Sequence, residues 1–352
     1  MGTAAGMGMV ANIQSQEARM PRFNTLAVAV LIAVLPIEGA PAQTPAPATT
    51  TATAPQSPDS AAANNAATMD GASGMLRLQV LLDRAHFSPG QIDGQPGSNQ
   101  QRALRGYQAA HGLPVTGEPD AATWQALNAD TTAVVANYTL TAEDVAGPFV
   151  QIPKNISKQA GLKSLGYTSL AEALGERFHV YPQTLQQLNP GVDFAQAKAG
   201  TVVKVTNIGG VAPLPKAAKV VVDKSDSTLS LLDAQGKVMA QFPVTSGSKH
   251  DPLPLGEWKI LGTYRDPTFH YNPKLFWDAN KGDRKATIAA GPNNPVGRVW
   301  IDLSKEHYGL HGTAEPRSVG KSQSHGCVRL TNWDVLTLAD AVDNTVPVVF
   351  QE

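Results

Sequence analysis

The spacing of apolar and polar positions changes several times along the chain, and each change marks a segment. Leu26 to Leu35 form an unbroken apolar run (LAVAVLIAVL), shorter than the ~20 residues a membrane-spanning helix needs. Met20-Pro-Arg22 precedes the run and Gly39-Ala-Pro-Ala-Gln43 follows it. This order of basic start, apolar core and small-residue exit predicts a secretory leader over residues 1–42, with Met20 as an alternative start. Residues 43–74 are mostly Ala, Thr, Pro and Ser. They carry too little apolar surface to offset the entropy of ordering, so they predict a flexible tether. Beyond it the period becomes helical: Leu78, Leu81, Leu82 and Ala85 fall at i, i+3, i+4 and i+7. Ser88-Pro-Gly90 stops that helix. Two further helical patterns, around Ala103, Leu104 and Tyr107 and through Trp124 and Leu127, predict a three-helix module over 75–129.

Residues 138–207 predict a small α+β module in strand, helix, helix, strand order: Tyr167 to Leu170, Ala171 to Phe178, Thr184 to Leu188, and Gly200 to Val205. Val211-Ala-Pro-Leu-Pro215 reads as a stiff linker. From Lys219 the texture is that of strands, with Val220 to Val222, Leu229 to Leu232 and Val238 to Val244 as a meander and further strands at Glu257 to Leu261, Ala286 to Ala289 and Val299 to Leu303. One clear helix is predicted over Trp333 to Val342, where Val335, Leu338, Ala339 and Val342 share a face and Thr331 or Asn332 can cap it. The fold class is therefore multidomain, ending in a mainly-β domain over 218–350.

A length of 352 residues fits several modules better than one. A net charge of −1 with 16% charged residues offers no general attraction to polyanions, which disfavours a nucleic-acid binder. Cys327 is the only cysteine, so neither an intramolecular disulfide nor a multi-thiolate zinc site can form. A lone thiol in an exported protein is exposed to oxidation, which favours a chemical role for it. His311 lies sixteen residues before Cys327 and His325 two before it. In an extended segment i and i+2 face one side, and an imidazole hydrogen-bonded to a thiol raises its thiolate fraction. A zinc site made of His311, His325 and Cys327 would need another ligand or water. These residues point to an exported Cys/His acyl-transfer enzyme. Tyr264, Phe269, Tyr271, Phe276 and Trp277 either line the cleft or pack within loops.

Three family resemblances extend this reading. Leu78-Gln79, Ile92-Asp93-Gly94, Ala103-Leu104, Tyr107-Gln108, Gly112-Leu113, Val115-Thr116-Gly117 and Thr123-Trp124 to Leu127 resemble the peptidoglycan-binding domain found beside wall enzymes. Residues 138–207 resemble a degenerate LysM module lacking its usual Gly-Asp-Thr opening. His311 followed by Ser324-His325-Gly326-Cys327-Val328-Arg329, with Pro254-Leu-Gly256 and Gly291 to Gly297 upstream, resembles the L,D-transpeptidase signature. That resemblance implies Cys327 as nucleophile, His311 as base, and the Gly312 carbonyl orienting the imidazole. It also implies N–H groups near Gly326 and Cys327 as oxyanion donors, with Ser324, His325 and Arg329 supporting the loop or touching substrate. The implied partners are peptidoglycan stem peptides and glycan in the periplasm or cell wall, with no cofactor, no metal and no membrane anchor once the leader is removed. The implied reaction expels D-alanine through a thioester and forms 3→3 cross-links. The alternatives are an L,D-carboxypeptidase using water at the same site and a non-catalytic wall-binding scaffold.

Overall fold

The computed structural model describes residues 72–352; the expected leader and nearly all of the tether lie outside the described residues. The first module contains helices α1 (Ala72–Arg84), α2 (Ser98–Ala110) and α3 (Ala121–Leu127). The expected boundary at Met75 is corrected to Ala72. Leu76 packs into the core with Leu78, Leu81 and Leu82, and a helix whose packed face begins there needs backbone ahead of it to complete its first turn. Ile92, Leu104, Tyr107, Trp124 and Leu127 complete that core. Asp120 caps α3 by accepting from the Thr123 N–H at 2.8 Å.

The middle module departs from expectation at its start. Its first strand is β1 (Val135–Thr139), which pairs antiparallel with β2 (Val202–Thr206), so the segment begins before residue 138 and Tyr167 to Leu170 is not a strand. Short helix α4 (Ala142–Ala146) follows β1, and an excursion over 147–168 carries the one-turn α5 (Ile156–Gln159). Helices α6 (Leu170–Arg177) and α7 (Pro182–Leu188) then pack on the hairpin through Leu140, Leu170, Leu174, Val180, Leu185, Val203 and Val205. Ser169 caps α6 and thereby fixes where the chain turns from extended to helical.

The C-terminal domain is a nine-stranded sheet. Its strands in chain order are β3 (Lys219–Asp223), β4 (Thr228–Leu232), β5 (Val238–Pro243), β6 (Thr245–Ser246) and β7 (Gly256–Arg265), then β10 (Val299–Leu303), β11 (Gly309–His311), β12 (Val328–Arg329) and β13 (Pro347–Gln351). In space the order is β5-β4-β3-β13-β7-β10-β11-β12-β6. Only Val244 separates β5 from β6, so the two edges of the sheet must meet and the sheet rolls. Val220, Val222, Leu229, Leu231, Ile301, Leu310 and Val328 fill its inner face. Helix α8 (Asn332–Ala341), capped by Thr331, adds Val335, Leu338 and Ala339 to that core. Between β7 and β10 the chain leaves the sheet as a separate hairpin, β8 (Phe269–Tyr271) with β9 (Ala286–Ile288).

The three modules are packed together. Helix α2 covers edge strand β5, where Gln241 donates to the Arg102 carbonyl at 2.9 Å, and Arg105 of the same helix pairs with Asp226 of the β3–β4 turn at 2.6 Å. Leu165 of the excursion is fully buried and exchanges backbone hydrogen bonds with Ala290 and Asn293 at 2.9 and 3.0 Å. Gly291 makes this crossing feasible, because it sits at φ +144° and a Cβ there would collide with the Leu165 carbonyl. Glu176 of α6, held up in pKa by burial, accepts from Asn332 at 2.8 Å. At the junction of all three modules Ser88 donates to Asp334 at 3.0 Å, His179 approaches Asp83 at 3.0 Å, and His179 stacks on Trp333.

Burial, and then the charge of Asp83, push the Asp334 carboxyl from its ordinary 3.8 up to about 7. A carboxyl raised in the folded state is not penalised below its unfolded pKa, and its ionisation costs stability increasingly as pH rises through the folded value. Asp334→Asn is therefore expected to raise the thermal midpoint at about pH 8 and to leave it nearly unchanged at about pH 4. Unfolding scans at both pH values check this, and equal effects would contradict it.

Candidate functional site

The site lies on the outer face of the rolled sheet, and strand alternation puts it there. Val299, Ile301 and Leu303 point inward, which sends Trp300 and Asp302 outward; Leu310 points inward, which sends Gly309 and His311 outward. Strand β12 runs parallel to β11 with Leu310 opposite Val328 and His311 opposite Arg329. Cys327, just before β12, thus comes level with Gly309, and His311, Arg329 and Cys327 share one face. Trp300 is the antiparallel partner of His311 and stacks on its ring at 5.5 Å between centroids. Cys327 belongs to the cluster formed by Trp300, Phe269, Tyr271, Ile288, Val296 and Leu165, separate from the inner core.

His311 is 1% exposed and Cys327 is 2% exposed. The His311 Nδ1 lies 2.6 Å from the Gly312 carbonyl. A carbonyl only accepts, so Nδ1 carries the hydrogen and Nε2 is left with the lone pair. Nε2 is buried and has no hydrogen-bond partner among the described residues. Burial and the neighbouring Arg329 charge hold the imidazole down to about 3, against the Gly312 contact. The Cys327 thiol donates weakly to the His307 carbonyl at 3.7 Å. Burial pushes that thiol up to about 11, outweighing the Gly309 N–H and the Arg329 charge that favour thiolate. The resting site therefore holds a neutral thiol and a neutral imidazole.

The loop before Cys327 is held by Ser324, which is buried. Its hydroxyl donates to the Cys327 carbonyl at 2.6 Å and accepts from the Gly247 N–H at 2.7 Å. Gly326 takes φ +101°, where a Cβ would come within 2.8 Å of the Tyr308 ring. His325 turns to the hairpin side, with Nε2 2.9 Å from Asp278 and its ring edge-on to Phe276 at 5.2 Å. The described residues contain no His/Cys/Asp/Glu group able to hold a metal ion, and none of their helices is long and apolar enough to cross a membrane.

A cleft of about 270 Å³ opens beside His311, lined also by His325, Arg329, Phe269, Tyr271 and Phe276. Of the aromatic residues left open by the sequence, Phe269, Tyr271 and Phe276 line this cleft. Tyr264 packs on the cluster containing Cys327, while Trp277 is exposed and stacks on His250 at 4.5 Å. Sequence reasoning missed Trp300, whose outward place follows from the alternation of Val-Trp-Ile-Asp-Leu, and Tyr308, which packs beside Gly326. It also missed Asp278, the partner of His325, and the lining residues Lys154, Asn155 and Ile156. Those three come from another module, and no local pattern announces them.

Residues 217–350 match the family model described as the L,D-transpeptidase catalytic domain, and residues 72–127 match the peptidoglycan binding domain model. The protein provisionally named L,D-transpeptidase YkuD in Bacillus licheniformis is 31% identical over 173 residues, covering 49% of this chain and 88% of that protein. Its namesake in Bacillus subtilis is 30% identical over 167 residues, covering 47% and 84%. Among solved structures, an L,D-transpeptidase from Mycobacterium smegmatis shares 17% identity with a TM-score of 0.32, covering 43% of this chain and 66% of that one.

With the thiol raised to about 11, alkylation of Cys327 by iodoacetamide is expected to accelerate steadily from about pH 7 to about pH 10, because only the thiolate reacts. A rate profile flat from about pH 5 to about pH 8 would instead indicate a preformed thiolate–imidazolium pair.

Proposed function

The chain belongs to the L,D-transpeptidase family and is an enzyme of that type, and on that footing we propose that Cys327 is its nucleophile and His311 its general base. The observation that carries this reading is the His311 tautomer: Nδ1 is tied to Gly312, and the lone pair of Nε2 is unpartnered and buried on the face that carries the only thiol. The substrate is peptidoglycan, a reading supported by the match of residues 72–127 to a peptidoglycan binding domain. The protein works outside the cytoplasm, in the periplasm or cell wall, where that polymer lies.

In this reading the Cys327 sulfur attacks the carbonyl of the L-centre residue of a tetrapeptide stem. The thiol proton passes to His311 Nε2 as the C–S bond forms. Proton transfer accompanies attack because burial disfavours a charged pair formed in advance. The developing oxyanion takes hydrogen bonds from backbone N–H groups near Gly326 and Cys327. When the C–N bond breaks, His311 returns the proton to the departing amine, releasing D-alanine and leaving a thioester on Cys327. A neighbouring stem amine, deprotonated by His311, attacks that thioester, forms the 3→3 amide and frees the thiol. Water in place of the amine yields hydrolysis at the same site.

The supporting residues take distinct parts. Burial, and then the Arg329 charge, hold His311 down in pKa, so a substrate carboxylate bound to Arg329 strengthens the base as the donor arrives. Ser324 fixes the turn that presents Cys327, and His325 joins that turn to the hairpin through Asp278.

Cys327→Ala is expected to abolish both cross-linking and hydrolysis of a disaccharide tetrapeptide, read by mass spectrometry of the products. His311→Ala should slow acylation by about 10² to 10⁴-fold near neutral pH and recover in part at alkaline pH, since the thiolate then forms without a base. His325→Ala should show no alkaline recovery, because deprotonation does not rebuild a loop. Residual turnover by Cys327→Ala would overturn the acyl-enzyme, and the opposite pattern between the histidines would exchange their roles.

A further inference from the structure

One wall of the cleft comes from outside the catalytic domain. Lys154, Asn155 and Ile156, all from the 147–168 excursion of the middle module, line it together with His311 and Arg329. The excursion is fastened along its length. Asn155 Nδ2 and Ser157 Oγ donate to Asp283 at 3.1 and 3.2 Å. Asn293 donates to the Gly166 carbonyl at 3.0 Å and to Glu172 at 2.6 Å. Between these ties Leu165 is buried in the same cluster as Cys327. A segment so held presents a fixed surface, the condition for a side chain on it to select among ligands.

The charges lining the cleft are unequally engaged. Asp278 is approached by His325 at 2.9 Å. Asp283 accepts from Asn155, Ser157, Tyr271 and Asn280. The cations lack such ties: the side chains of Lys154 and Arg329 make no hydrogen bond or ion pair with another described residue, although Arg329 feels the charges of Glu315 and Asp278. The lining therefore holds two cations without an ion pair, Lys154 and Arg329 on different walls, and two carboxylates, Asp278 and Asp283, that are tied by hydrogen bonds to His325 and to the excursion. Arg329 is close to the reacting atoms through its ladder pairing with His311, whereas Lys154 stands on the wall the middle module contributes.

We infer that the 147–168 excursion is a wall of the acyl-donor site and that Lys154 is a specificity-determining residue, receiving a carboxylate of an anionic peptide whose scissile carbonyl lies at Cys327. This rests on the acyl-transfer reading for the choice of ligand. The ligand class is a peptide carrying at least two carboxylates, one for each cation that lacks an ion pair. A neutral peptide of the same shape gains nothing from Lys154.

The test is equilibrium binding to the full chain carrying Cys327→Ala, so that no turnover intervenes, with calorimetry as the readout. The probes are a disaccharide tetrapeptide with free carboxylates and the same molecule with its peptide side-chain and terminal carboxylates amidated. Adding Lys154→Ala is expected to raise Kd for the free-acid peptide on the order of fivefold, Lys154→Glu to raise it further, and Lys154→Arg to keep it within about twofold. Binding of the amidated peptide should be insensitive to all three. An unchanged Kd, or equal losses for both peptides, would overturn the role of Lys154. Charge-selective binding without turnover by the wild-type chain would remove the acyl-transfer reading and leave the wall. Cross-linking without charge selectivity would remove the wall alone. Failure of both peptides to bind in any background would overturn both.

Discussion

Two rungs of parallel pairing, Leu310 with Val328 and His311 with Arg329, set the positions of the proposed nucleophile and base. Side chains along a strand alternate with a period of two, so a slip of one residue would bury His311 and Cys327 in the inner core and expose Leu310 and Val328. The inner core prevents that slip, because Leu310 and Val328 are both fully buried in it. The hydrophobic effect thereby fixes the register, and the register fixes the chemistry. Ser324 performs the remaining adjustment, tying the carbonyl of Cys327 back across its own turn.

Burial of the pair has a chemical cost and a chemical use. A thiol raised to about 11 and an imidazole lowered to about 3 are both inert toward solvent at neutral pH. That inertness shields a lone thiol from oxidation, to which a standing thiolate would be open. Arg329 lowers both groups, favouring thiolate and disfavouring imidazolium. Its charge therefore couples the readiness of the site to whatever anion neutralises it.

Local sequence carried much of this architecture. The i, i+3, i+4, i+7 stripe of Leu78, Leu81, Leu82 and Ala85 marked a buried helical face. The alternation of Val299, Trp300, Ile301 and Asp302 contained the two faces of the sheet. What it could not carry was partnership. Tyr138 pairs with Val203, 65 positions further along the chain, and a strand's own period says which face is buried, never against what. For the same reason Lys154 and Leu165 gave no sign of lying beside His311 and Cys327. The raised thiol was equally hidden, since desolvation depends on the hairpin and excursion that close over it.

The single residue between β5 and β6 makes the sheet a route for force. The first module grips β5, where Gln241 bonds the Arg102 carbonyl. Thr245, four residues further along the same backbone, is the ladder partner of Arg329. Tension applied to a module anchored in a stretched polymer would enter the sheet at its edge, run along covalent chain into β6, and cross one ladder to the strand that follows Cys327. In this fold the hold of the first module and the placement of the Cys327 sulfur belong to one mechanical element.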